Sequence, residues 1–320
     1  MALTPTLALI REAQQILAAH FPTTRMSPVP GLSRPNADAY LKIETELPTG
    51  SFKPRRALYA LTTNLRRGGI REVTASSTGN HGAAVAWAAK TLGVPATIFL
   101  PSNPNPVKRQ KIADLGARID EAGGTDLADA SLQALAYSSR PGVYFLNDAT
   151  DPDILAGPAT IGMEILDQLP SVAAVYVPMG DTALIRGVGA ALKQIKPEIK
   201  IVGVQAEGAP SYYLSWKAGY AVPTETCDTC ADGLATRTPE PENVQAIREI
   251  VDNVVLVSEE EMIQAIRLLY LEVGVVAEPA GAAATAAFLK APEPRGPVVL
   301  LVSGGNISDE VRGRAGLITR

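Results

Sequence analysis

Lys53 stands in the segment Leu47-Pro48-Thr49-Gly50-Ser51-Phe52-Lys53-Pro54-Arg55-Arg56-Ala57, behind an aromatic ring and just ahead of two arginines. A lysine that is buried or held beside cations gives up its proton more readily, and its free amine is then a nucleophile for an aldehyde. Three other segments are rich in small polar residues: Ser76-Ser77-Thr78-Gly79-Asn80-His81-Gly82, Pro178-Met179-Gly180-Asp181-Thr182 and Ser303-Gly304-Gly305-Asn306. Small-residue turns that enter a helix point free N–H groups at an anion. Three of them suit a ligand with more than one anionic or polar end. A phosphate cradle, a polar loop for a ring and a primed lysine together match the needs of pyridoxal 5′-phosphate.

These loops need a scaffold that delivers them to one edge. Each follows an apolar, β-prone run: Glu72-Val73-Thr74-Ala75-Ser76, Ala174-Val175-Tyr176-Val177 and Val298-Val299-Leu300-Leu301-Val302. Further runs are Ala96-Thr97-Ile98-Phe99-Leu100, Val143-Tyr144-Phe145-Leu146, Ile199-Lys200-Ile201-Val202-Gly203-Val204 and Val254-Val255-Leu256-Val257. Several are almost continuously apolar, as strands covered on both faces are. Helical stretches separate them; one runs from Ala83 to Leu92, and another from Val107 to Leu115 with Gly116 as its cap. The pattern predicts an α/β fold with mostly parallel sheets, whose ligands bind beyond the carboxyl ends of the strands. The stretch from Cys227 to Asn243 reads as a loop broken by Pro239 and Pro241, and residues 291–297 as a connector.

With 320 residues, 46% hydrophobic and 19% charged, the chain has the composition of about two globular domains. A net charge of −4 gives no basic excess, so binding to nucleic acid or anionic membranes is not expected. Two cysteines, in Cys227-Asp228-Thr229-Cys230, make no disulfide framework and are expected to be ordinary thiols. Two histidines, His20 and His81, leave little for a metal site. The N-terminal stretch has Arg11 and Glu12 inside its apolar pattern and reads as an amphipathic helix, not a leader, so a soluble cytoplasmic protein is expected. There is no Walker loop, GxGxxG, GxSxG or HExxH, which makes a nicotinamide dehydrogenase a poor reading.

The segments TGSFKPRRA, SSTGNHG, ADGLA, AEPAGAAA and VSGGN occur in this order. With them the chain resembles the fold type II pyridoxal-phosphate enzymes of the tryptophan synthase β-subunit superfamily, above all the serine/threonine dehydratases and serine racemase. The resemblance implies a small domain, residues 47–147, inserted in a large one, residues 1–46 and 148–320, with closure over substrate. It implies that Lys53 carries the cofactor as a Schiff base and later moves protons at the substrate Cα, and that Phe52 packs beside the ring. Asn80 would bond the ring hydroxyl, and Ser77, Thr78, Gly79, Asn80 and His81 would cradle the substrate carboxylate. Gly180, Asp181, Thr182, Ala183 and Leu184 would hold the phosphate, Ser303 would face the pyridine nitrogen, and Gly233 and Glu278 would line the site. A hydroxyl at that nitrogen makes a weaker electron sink than a carboxylate would, which suits β-elimination. The implied activity is an ammonia-lyase that turns a β-hydroxy-α-amino acid into a 2-oxo acid and ammonia, in a homodimer. An amino-acid racemase is the alternative, and a non-catalytic binding protein of the same fold is the reading from another class.

The chain also departs from that pattern. Where the dehydratases have four glycines in the phosphate loop, it has Gly180-Asp181-Thr182-Ala183. An aspartate beside a phosphate is repulsive, so Asp181 or Thr182 is expected to cap the following helix with the carboxylate turned away, leaving Thr182 and Arg186 for the phosphate. Ala83 and Ala84 follow where a glutamine is usual, which admits a bulkier β-substituent, as in phenylserine. Glu207 matches a cation ligand of the racemases, but Tyr213 stands in place of their aspartate, so no metal is expected. Thr78 takes the place of the racemase's acid–base serine and is a second catalytic candidate. With 14 residues after Asn306, no regulatory domain of the kind biosynthetic threonine dehydratases carry is expected.

Overall fold

The computed structural model describes residues 4–102, 104, 106–121, 127–291 and 295–317. They form two compact units, Met1–Phe52 with Pro158–Arg320, and Lys53–Gly157. The first unit opens with α1 (Leu7–Ala18), β1 (Met26–Pro28) and β2 (Ala39–Ile43). The second holds α2 (Lys53–Arg67), β3 (Glu72–Ser76), α3 (Asn80–Leu92), β4 (Ala96–Phe99), α4 (Pro106–Asp114), β5 (Arg118–Asp120), α5 (Leu127–Tyr137) and β6 (Val143–Phe145). The chain then returns to the first unit through α6 (Ala156–Gln168), β7 (Ala174–Pro178), α7 (Ala183–Ile195), β8 (Lys200–Ala206), α8 (Ser211–Ala218) and α9 (Pro241–Ile250). It closes with β9 (Asn253–Val257), α10 (Glu259–Val273), α11 (Pro279–Leu289), β10 (Val298–Val302) and α12 (Asp309–Arg314).

The larger unit has a six-stranded sheet in the order β1-β2-β10-β7-β8-β9, parallel except for β1 on its edge. Alternate residues of one strand enter different cores. Val298, Leu300 and Val302 pack with α10 and α11 residues such as Ile266 and Phe288, while Val299 and Leu301 pack with Ile161, Ile185 and Ile247 of α6, α7 and α9. Both faces are therefore covered, which is why β10 reads as an unbroken apolar run. Burying each such side chain contributes roughly 1.5–3 kcal/mol. The strand before the Lys53 segment is fixed differently. Lys42 on β2 is fully buried and donates to the Thr24 carbonyl, Glu164 and Gln168, while the Thr24 hydroxyl donates to Glu44.

The smaller unit has a parallel four-stranded sheet in the order β5-β4-β3-β6. The strands read from the sequence all form, with ends within two residues of expectation, and the fold is the expected α/β class. Three local readings change. α3 starts at Asn80 instead of Ala83, because its first turn is polar and carries no apolar period. Pro241 begins α9 instead of breaking structure, since the first turn of a helix does not need its missing N–H. A 3-10 turn, Asp232–Leu234, interrupts the loop that begins at Cys227. Residues 292–294 of the expected connector lie outside the described residues.

Candidate active site

In the larger unit, TGSF and AEPAG meet VSGGN at Ser303 and Gly304. The Phe52 N–H donates to the Ser303 carbonyl at 2.9 Å, and the Glu278 N–H to the Gly304 carbonyl at 3.0 Å. The Gly305 N–H donates to the Gly50 carbonyl at 2.9 Å, and the Asn306 amide to the Thr49 carbonyl at 2.8 Å. A Cβ on Gly281 would lie 2.2 Å from the Gly304 oxygen, so α11 approaches this loop as only glycine permits. A Cβ on Gly180 would lie 2.1 Å from the Gly233 oxygen, and one on Gly233 2.9 Å from Ala280. TGSF, VSGGN and AEPAG are thus joined through backbone atoms, as are ADGLA and the Gly180 loop, and the two groups meet where Gly233 packs on the Ala280 methyl. The Glu278 carboxylate lies against Gly304, and Ser303 is buried at the end of β10. Phe52, the residue preceding Lys53, is buried in one apolar cluster with Met179, Leu184 and Ile185.

The Gly180 loop answers its own anomaly. Asp181 Oδ1 accepts from the Ala183 N–H at 3.0 Å, so the carboxylate is spent on the first turn of α7, and Thr182 makes no such cap. Thr182 is held in the left-handed region at φ 71°, a conformation that strains a β-branched residue. Its Oγ1 is buried and has no hydrogen-bond partner. Arg186 follows one turn later on α7, also buried. Ala183 and Leu184 complete the turn. Among the described residues the other non-glycine with positive φ is Thr49 (φ 68°), again beside a motif. Ser51 is fully buried with an unpartnered hydroxyl.

The smaller unit arranges its residues by charge. Lys53 is the first residue of α2, where Pro54 suits the helix start, and its side chain is 13% exposed. Burial, one condition for a reactive amine, is met. Its electrostatic setting is mixed: Nζ lies 3.8 Å from Asp148 Oδ2, and the same oxygen lies 3.3 Å from the Arg56 guanidinium. Arg56 also donates to the Asp148 carbonyl at 3.0 Å and reaches His81 Nδ1 at 3.1 Å. A guanidinium only donates, so Nδ1 accepts, and Nε2–H donates to the Leu146 carbonyl at 3.0 Å. Burial, with Arg56 and Lys53 nearby, drives the imidazole down to about 4, against the pull of Asp148. His81 is neutral at physiological pH.

The Ser77–His81 stretch starts α3. Ser77 Oγ accepts from the Gly79 N–H at 3.1 Å, Gly79 is the N-cap, and Asn80 and His81 are in the first turn. N–H groups at such a position have no partner within the helix. Thr78 lies between Ser77 and Gly79, half-buried. A Cβ on Gly82 would lie 2.4 Å from the Ser77 carbonyl, which keeps this loop tight on α3. Arg56 and Asp148 were not singled out from the sequence. The arginines beside Lys53 are visible there, but no local spacing betrays an anion partner ninety-odd residues away.

The remaining candidates are the two thiols, Tyr213 and the alanines that follow Gly82. Burial raises both thiols, Cys230 to about 12 with Glu259 hydrogen-bonded to it, so neither is primed to react. Tyr213 accepts a hydrogen bond from Lys217 at 2.6 Å. Ala83 and Ala84 are buried within α3 and open no space to solvent.

The residues of the larger unit fit pyridoxal phosphate by observation: a glycine-backed turn at a helix start, with a buried, unpartnered threonine hydroxyl, is chemically suited to a phosphate. The family model "Pyridoxal-phosphate dependent enzyme" matches residues 18–304. The L-threonine ammonia-lyase of Thermotoga maritima is 38% identical over 304 residues, covering 94% of this chain and 76% of that one. Among solved structures, maize serine racemase aligns with TM-score 0.90 at 26% identity, covering 98% of this chain and 97% of that one. The processed form of threonine deaminase isoform 2 from Solanum lycopersicum aligns at 0.88 with 28% identity, covering 98% and 94%. The architecture is fold type II, and the chain belongs to the family of pyridoxal-phosphate dependent enzymes, with pyridoxal 5′-phosphate as its cofactor.

Proposed function

We propose that the chain is an ammonia-lyase acting on a threonine-like β-hydroxy-α-amino acid, with L-threonine the first substrate to try. The observation that carries the reading is the packing of TGSF and AEPAG on Ser303 and Gly304, with ADGLA and the Gly180 loop packed on one another and on Ala280, and with Thr182 offering a buried hydroxyl. Relatives at 34–38% identity, such as those of Thermotoga maritima and Staphylococcus aureus, bear the names L-threonine ammonia-lyase or dehydratase. When bound, pyridoxal phosphate supplies an aldehyde that captures amines and a ring that accepts the electron pair released at the substrate Cα.

The chain's residues do the rest. Lys53 would hold the cofactor through its amine and, as a free amine, would take the proton from the substrate Cα. Gly180, Asp181, Thr182, Ala183 and Leu184 would hold the phosphate, with the Thr182 hydroxyl as a donor to it. Ser303 would bond the pyridine nitrogen and Asn80 the ring hydroxyl, and Phe52, Gly233 and Glu278 would line the ring. N–H groups of Ser77, Thr78, Gly79, Asn80 and His81 hold the substrate carboxylate, with the α3 dipole behind them. Loss of the Cα proton and the β-hydroxyl releases one water. The resulting enamine takes up a proton and is hydrolysed by one water to the 2-oxo acid and ammonia.

A racemase is the second reading, favoured by the likeness to maize serine racemase and by Thr78 as an acid or base on the other face. The test is a panel of both enantiomers of serine, threonine, phenylserine and 3-hydroxyaspartate. Oxo acid and ammonia from an L-β-hydroxy acid support the lyase; change of optical rotation without oxo acid gives the racemase. Lys53→Ala should abolish the borohydride-fixable visible band and lower kcat by about four orders of magnitude. A homodimer in the cytoplasm completes the proposal, checked by sedimentation. Among the described residues no helix is long and apolar enough to cross a membrane.

A further inference from the structure

We propose that Arg56 is a positioning residue that acts on Lys53 through Asp148 and on the Ser77–His81 loop through His81. The inference rests on the reading above, in which Lys53 works as a free amine. An ammonium has no lone pair to add to an aldehyde and cannot take a proton from Cα. A carboxylate beside Lys53 favours that idle form. Asp148 is such a carboxylate, 3.8 Å from Nζ. The same oxygen lies nearer, 3.3 Å, to the Arg56 guanidinium, which also grips the Asp148 carbonyl. Arg56 thus supplies the opposing charge and keeps Asp148 from acting on Lys53 alone.

The second contact is with His81. Arg56 donates to Nδ1, and this leaves Nε2–H to hold the Leu146 carbonyl, fixing one tautomer. His81 sits in the first turn of α3, so its orientation is that of the loop proposed to hold the substrate carboxylate. The charged groups around the imidazole are Arg56, Lys53 and Asp148. Nη1 of Arg56 donates to the Asp148 carbonyl, and Nη2 lies against both the Asp148 carboxylate and His81 Nδ1; a planar guanidinium with five N–H groups supports this set of contacts, whereas the compact ammonium of a lysine reproduces only part of it. Arg56 is fully buried, so it reaches substrate only through these neighbours.

The test uses the full chain, stripped of cofactor, with two readouts besides turnover. One is the pH profile of pyridoxal phosphate uptake, followed by the visible band and its fixation with borohydride; in this step the Lys53 amine condenses with the aldehyde and one water is lost. The other is the 15N spectrum of the imidazoles, simple because only His20 and His81 occur and His20 is exposed. In Arg56→Met, the midpoint of uptake should rise by about one pH unit, and the His81 titration should move up from about 4 by at least as much. Adding Asp148→Asn to that variant should bring the uptake midpoint back. Folded Arg56→Met with both profiles of the parent overturns the proposal. If that variant does not fold, Arg56→Lys decides: it should keep the uptake profile yet shift the His81 Nδ1 resonance, and an unshifted resonance overturns the proposal. A parent chain that never takes up pyridoxal phosphate sinks the lyase reading instead, while the imidazole spectrum still tests the Arg56–His81 contact.

Discussion

In the unit of Met1–Phe52 with Pro158–Arg320, the motif loops meet through backbone, Gly180 on Gly233 and Gly281 on Gly304; in Lys53–Gly157 they meet through charge, Lys53 and Arg56 on Asp148 and Arg56 on His81. Backbone contact gives shape. It leaves hydroxyls such as those of Thr182 and Ser51 buried without protein partners, and it is indifferent to pH. A charge network gives protonation states, and it moves with every proton gained or lost. The contrast matches the proposed labour: one set of residues seats a rigid cofactor, the other governs an amine and a proton.

Three measurements press on that contrast, the largest effect first. Gly281→Ala forces a Cβ to within 2.2 Å of the Gly304 oxygen, a backbone atom that cannot swing aside. We expect a loss of about 3 kcal/mol or more in unfolding free energy, together with weaker cofactor retention. Normal Tm and normal retention in this variant would remove the backbone account. The charge network predicts a different signature. His81 falls to about 4 in the folded chain from the ordinary 6.5, so the unfolded chain binds a proton first as pH drops. Its contribution to stability is complete above about 6.5 and is lost as pH falls to about 4, a change of about 3 kcal/mol. Denaturant midpoints across that range should show the slope, and His81→Gln should flatten it; an equal slope in both would break the assignment. The smallest effect concerns Asp181. Its carboxylate is engaged with the Ala183 N–H, so Asp181→Gly should keep pyridoxal phosphate affinity or tighten it a few-fold, by relief of like-charge repulsion. A large loss of affinity, measured by dialysis, would show that the cap is what shapes the loop.

Much of this was legible in the sequence, because the strands are apolar runs with both faces buried and the loops are small-residue turns directly after them. The capping role of Asp181 was foreseen as one of two choices, and only the backbone decided it: Thr182 turns left-handed and leaves the cap to its neighbour. The start of α3 was missed by three residues, since Asn80, His81 and Gly82 give no apolar signal. The Arg56–Asp148 pair was not readable at all, because its partners are distant in sequence and a lone aspartate in a loop looks like any solvated charge.

Thr182 has a practical consequence. A search for heat-tolerant variants would reach this codon early, because glycine there relieves a left-handed, β-branched backbone by about 1 kcal/mol. The same exchange deletes the hydroxyl proposed to meet the phosphate. On the proposed role of that hydroxyl, breeding for thermal endurance at position 182 would select variants that outlast their parents while shedding their coenzyme faster.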